Sequence, residues 1–187
     1  SHFVTPSGIR TTYMEPLYGF FLDWAGRALG DSFPLAATLQ IAVASVGGVY
    51  LFRLTCFLSR SSLAASLAVS LYAFYPYLVR QSMKITEVPL FMTLLIIASY
   101  YYLRSESRLC ALVCGTAFGL ALMTRSMLLP VLLIGVAVLM LKGRWKSALI
   151  ILLTSLIVSL PMFLKNLSLN GTLLPPRSGV SLFVGNN

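Results

Sequence analysis

Six stretches of this chain carry no Asp, Glu, Lys or Arg: residues 35–52, 61–79, 88–103, 109–124, 126–141 and 147–164. A water-soluble domain has about 25% charged residues spread along its elements; this chain has 10%, with 58% hydrophobic. Uncharged runs of this length fit a hydrocarbon solvent. There each backbone N–H and C=O must find its partner within the protein, and a helix does that locally. Crossing the hydrocarbon takes about 20 helical residues. Several runs fall slightly short, and flanking Arg and Lys extend them by reaching out to the interface. Arg125 interrupts two runs of sixteen and predicts a tight hairpin rather than one long helix.

The expected fold is therefore all-α: a polytopic integral membrane protein with about six transmembrane helices. Re-entrant or juxtamembrane segments are expected on its outer face. The chain divides into an outer loop with a juxtamembrane helix (1–34), a transmembrane region (35–164) and the start of an outer-face segment (165–187). It opens on Ser1 in a polar stretch and closes in another, as expected of part of a longer protein.

Basic residues orient the bundle. The short loops 53–60, 104–108 and 142–146 hold seven Lys or Arg in 18 residues, against seven in 66 for the opposite side. Such density marks the cytoplasmic side. All nine prolines fall on the other side or at the outer ends of runs: Pro6, Pro16, Pro34, Pro76, Pro89, Pro130, Pro161, Pro175 and Pro176. Four of the five carboxylates join them: Glu15, Asp23, Asp31 and Glu87. Proline fixes φ and lacks an N–H, so irregular backbone gathers there. Chemistry is expected on that outer, non-cytoplasmic face. Tyr72, Tyr75 and Tyr77, and Tyr100 to Tyr102, read as aromatic belts at the two interfaces.

The net charge of +9 belongs to these flanks, so nucleic acid is not an expected partner. No ionisable residue stands in mid-run, where ion-coupled transporters keep theirs. Cys56, Cys110 and Cys114 lie in or beside apolar runs and read as small packing residues, with no metal. Spans one, three and five start outside. Their helix N-termini attract phosphate, and Arg80, Lys84 and Arg125 lie at or near such ends. Thr86 suits an N-cap, which would put Glu87 in a first turn. Lys165-Asn166 would close the sixth helix, since a cation suits a C-terminus.

The ordered motifs are Glu15-Pro16-Leu17-Tyr18-Gly19-Phe20-Phe21, Tyr75-Pro76, Thr86-Glu87, Gly119 to Thr124-Arg125, Pro161 with Lys165-Asn166, and Gly179 to Asn187. Taken together they resemble the membrane glycosyltransferases of the C-type fold that use polyprenyl-phosphate sugars. The protein mannosyltransferase-like and aminoarabinose-transferase-like members are the nearest in pattern. This chain departs at Ser126, where the family often has Pro, and at Met162 and Lys165, where Trp and Arg are common.

The resemblance implies a glycosyltransferase, a hexosyl- or pentosyltransferase without a cofactor. It would move a sugar from a polyprenyl-phosphate donor to a lipid, glycan or protein acceptor. It implies a multi-pass protein of a bacterial or archaeal plasma membrane, in contact with membrane lipids. The catalytic candidates are Glu15 and Glu87; those for substrate or phosphate binding are Arg10, Arg80, Lys84, Arg125, Lys165 and Arg177. The family's general base, an aspartate, would precede Ser1, so the isolated segment is expected to be inactive. Each candidate also has a plainer role: Glu87 as a dipole-stabilised carboxylate, the cations as headgroup anchors. A transporter or lipid flippase, or a noncatalytic membrane assembly subunit, stands as the alternative.

Overall fold

The computed structural model of the chain describes residues 16–29, 33–84 and 86–170. Within them every regular element is helical: α1 (Pro16–Leu29), α2 (Phe33–Ser59), α3 (Ser62–Phe74), α4 (Pro76–Met83), α5 (Val88–Leu103), α6 (Arg108–Leu122), a 3-10 turn (Ser126–Leu128), α7 (Leu129–Leu141) and α8 (Trp145–Asn170). No strand occurs among the described residues.

Two helices are long and apolar enough to cross a membrane, over Pro34–Ser59 and Trp145–Ser168. α3 and α4 qualify only as a pair, bent by 51° at their break. The break is local chemistry. Pro76 has no N–H to donate, and its ring disfavours helical ψ in the residue before it; Tyr75 has ψ 115°. The run 61–79, expected as one span, is thus two helices. α5, α6 and Ser126–Leu141 are apolar but shorter. The sixteen residues of α5 rise about 24 Å, against hydrocarbon about 30 Å thick.

The helices neighbour one another in the order α3, α2, α5, α6, α8, α7. Small residues hold the closest pair together. Gly115 and Gly119, four apart on α6, face α8 so tightly that a Cβ on Gly115 would lie 2.8 Å from the Ile151 carbonyl oxygen. One on Gly119 would lie 2.7 Å from Val158 Cβ. Ser155 Oγ sits 2.7 Å from Ile151 O and 3.0 Å from Gly115 O, tying the two backbones. Ala98, Ala111, Ala121, Ala148, Ser155 and Ser159 are buried. Leu63, Leu67 and Leu71 of α3 and Ile157, Leu160 and Leu164 of α8 are exposed. Small and hydroxylated residues at the tightest contacts, with large aliphatics both in the core and across the outer surface: this pattern suits helices whose solvent is as apolar as leucine. In water, exposed stripes of that size mark an interaction surface.

One end of the bundle is closed by tight, basic turns. Gly143 takes φ +72°; its N–H bonds Met140 O and that of Arg144 bonds Leu139 O, the paired Schellman closure of α7. Ser61 Oγ caps α3 by accepting from Ala64 N–H. Arg144 pairs with Glu106, Ser147 Oγ donates to Ser105 O, and the Arg104 guanidinium stacks over Phe57 and Tyr100.

Tyr100 to Tyr102 are tied into the bundle at the end of α5: Tyr100 is buried, Tyr100 and Tyr101 pack against Tyr50 of α2, and Tyr102 donates to Gly135 O of α7. One expectation changes here: α8 does not end at Lys165-Asn166. It runs through Pro161 to Asn170, and helices in apolar surroundings tolerate the one hydrogen bond lost at a proline. The boundary expected after residue 164 therefore falls within helix.

Candidate functional site

At the opposite end of the bundle, polar groups from five elements meet. Their centre is Gln40 of α2, 1% exposed. Its Nε2 donates to Gln81 O at 3.1 Å and to Lys84 O at 3.0 Å. These carbonyls lie at the end of α4, where the helix leaves carbonyls short of i+4 donors; Gln81 O also accepts from Lys84 N–H. Gln40 Oε1 accepts from the Tyr18 hydroxyl of α1 at 2.9 Å. One buried amide thus ties α1 and the end of the bent pair to α2. Its side chain has no spare group facing lipid, where an unmet one would be costly.

Glu87 and Arg125 form the charged part of this end. Arg125 Nη2 lies 3.2 Å from Glu87 Oε1, and its guanidinium stands over the Phe91 ring at 5.4 Å. The pair is reachable, with side chains 45% and 32% exposed. Local structure presents both residues. Thr124 and Arg125 N–H groups bond back to Ala121 O, and Thr124 Oγ1 donates to the same oxygen, which ends α6. The chain then turns through extended backbone at Arg125. Glu87 is itself the N-cap residue of α5, with no side-chain cap bond. The expected cap, Thr86, instead donates its hydroxyl to Gln81 O. The Glu87 carboxylate therefore stands beside the positive end of α5, and Arg125 balances it. Burial, and then the Glu87 charge, push the Tyr18 hydroxyl above the usual tyrosine range. Tyr18 thus stays a neutral donor to Gln40 at neutral pH. Leu17 N–H donates to Met123 O, fixing the start of α1 beside the α6 terminus.

Of the site residues expected from sequence, Glu87 and Arg125 come together. Lys84 joins them through its backbone carbonyl, while its side chain is exposed. Arg80, in the last turn of α4, is exposed and makes no ion pair among the described residues. Lys165 is half-buried within α8. Glu15, Arg10 and Arg177 lie outside the described residues. Among the described residues no three His, Cys, Asp or Glu side chains gather as a metal site. Gln40 and Tyr18 were not singled out in the sequence as site residues. The available signal was the amide itself, since a polar side chain inside an apolar run has to face a partner.

No protein family, curated protein or solved structure matches the chain significantly.

Proposed function

We propose that the chain belongs to a membrane glycosyltransferase, spans the membrane six times and binds a polyprenyl-phosphate sugar at the Glu87–Arg125 end. The observation that carries this reading is that reachable ion pair, held at the proline-marked end where α1, α2, α5 and α6 meet. A donor phosphate needs cations that are fixed in place before it arrives. Arg125 is oriented by Glu87 and Phe91, and its guanidinium has further N–H groups to offer a phosphate. Arg80 and Lys84, exposed on the neighbouring segment, add positive charge to the same end. Glu87 positions Arg125 in this scheme. The acceptor hydroxyl loses its proton to a carboxylate other than this paired one, Glu15 or the upstream aspartate implied by the resemblance. The sugar then passes to that oxygen as the C1–phosphate bond breaks.

The test is donor kinetics in the full-length protein carrying Arg80→Ala, Lys84→Ala or Arg125→Ala. Arg125→Ala is expected to raise the donor KM about tenfold, the loss of a charge-assisted hydrogen bond worth roughly 1.5 kcal/mol. Arg80→Ala and Lys84→Ala should have smaller effects. Unchanged donor kinetics in all three would reduce these residues to headgroup anchors and remove the basis of the reading.

A second reading has one observation in its favour. The bent α3–α4 pair is the sort of broken span found in lipid transporters and flippases. Such proteins usually place ionisable groups at depth. Here the charged residues lie at the two ends of the bundle, which favours the transferase.

A further inference from the structure

The bend between α3 and α4 opens a groove along α2 that the Glu87–Arg125 end does not use. Its volume is about 640 Å³, within the roughly 300–1,000 Å³ of small-molecule sites. It follows α2 from Ile41 to Arg53, with Val69 and Tyr72 of α3 and Leu78 and Met83 of α4 along the opposite side. Twelve residues of α2 separate Ile41 from Arg53, a rise of about 18 Å. One leaflet of hydrocarbon is about 15 Å deep.

The walls exclude a polar occupant. Ser45 Oγ already donates to Ile41 O, and the Tyr72 hydroxyl to Ala44 O. Ser82, at the far end, is the remaining hydroxyl. A polar ligand would lose its water without finding partners along the length.

The exception is Arg53, at the end nearest the basic turns. Its guanidinium lies over the Tyr50 ring at 5.6 Å, and it forms no ion pair among the described residues. Glu106, the described carboxylate at this end, is held by Arg144. The groove is thus an apolar slot one leaflet deep with an uncompensated cation at its mouth.

We propose that the groove binds one acyl chain of an anionic glycerophospholipid, with the lipid phosphate on Arg53. The cation lies at the end opposite the Glu87–Arg125 pair, so this site is separate from the proposed donor site. It stands whether or not the chain transfers sugars.

A tryptophan reporter tests it in vesicles. The native tryptophans, Trp24 and Trp145 among them, become Phe; Val49→Trp places a reporter in the groove, and Leu71→Trp places one on the outward face of α3. Each form is reconstituted in phosphatidylcholine containing chain-brominated phosphatidylglycerol or chain-brominated phosphatidylcholine as quencher. At position 49 the glycerol lipid should be preferred about fivefold, the factor one basic residue supplies near an anionic headgroup. At position 71 the two should quench alike. Arg53→Gln should abolish the preference and Arg53→Lys should keep it. The Leu71→Trp reporter in each variant shows that the protein still inserts. Equal quenching by the two headgroups at position 49, or a preference that survives Arg53→Gln, would overturn the proposal. So would no quenching from either lipid, because protein would then fill the groove.

Discussion

Gln40 shows how one side chain can fix an end of a membrane bundle. A glutamine in an apolar run is costly unless its amide is fully used, and here both of its ends are: two carbonyls accept from it and one phenol donates to it. Gln40→Leu leaves the Gln81 and Lys84 carbonyls without that donor. The expected cost is about 1–3 kcal/mol, read as a lower unfolding midpoint in detergent. Tyr18→Phe, which removes one bond, should cost less. A Gln40→Leu protein as stable as the parent would mean that the α4 carbonyls meet water or lipid headgroups instead. The sequence made single residues legible here but not their pairing. Glu87 and Arg125 were each visible as charges beside helix ends. Their contact spans 38 positions and depends on how α5 packs on α6, which no periodicity encodes. The cap was misassigned by one position: α5 starts at Val88, which makes Glu87 its N-cap, and the Thr86 hydroxyl donates to Gln81 O.

Helix positions were legible wherever charge or proline marks a boundary. The Arg125 break is a turn between α6 and α7, and short turns follow α5 and α7 as their composition implied, whereas 53–59, expected as loop, continues α2. Helix length beyond a boundary was not legible. Pro76 breaks its helix while Pro161 does not, although both lie near the end of an uncharged run. Nor did composition reveal the closest helix pair, because Gly115 and Gly119 gain their meaning only from what faces them. That contact yields a comparison of glycines. Gly119→Ala pushes a methyl against Val158 and should cost about 1–3 kcal/mol, as overpacking does. Gly48→Ala meets nothing closer than 4.0 Å and should be neutral or stabilising by up to about 1 kcal/mol, through the unfolded chain. Thermal unfolding of the two variants reads the difference directly. Equal tolerance would mean that α6 and α8 are not in van der Waals contact at Gly119.

Across the whole molecule, the two ends of the bundle have different physical characters. One gathers Arg53, Arg60, Arg104, Arg108, Lys142, Arg144 and Lys146 in short turns and the helix ends beside them. The other carries broken backbone, the buried amide and the Glu87–Arg125 pair. Basic, closed turns suit the cytoplasmic face, and irregular backbone beside a reachable ion pair suits substrate. This second end is proposed to handle a polyprenyl-phosphate sugar outside the cytoplasm. Sugar transfer by the full-length protein in sealed right-side-out vesicles, from a labelled polyprenyl-phosphate donor in the membrane to acceptor supplied externally, tests this. Labelled product is expected, with Arg125→Ala reducing its rate at limiting donor by about tenfold, near 1.4 kcal/mol. No transfer by right-side-out vesicles, together with transfer by inverted ones or by neither, would contradict it.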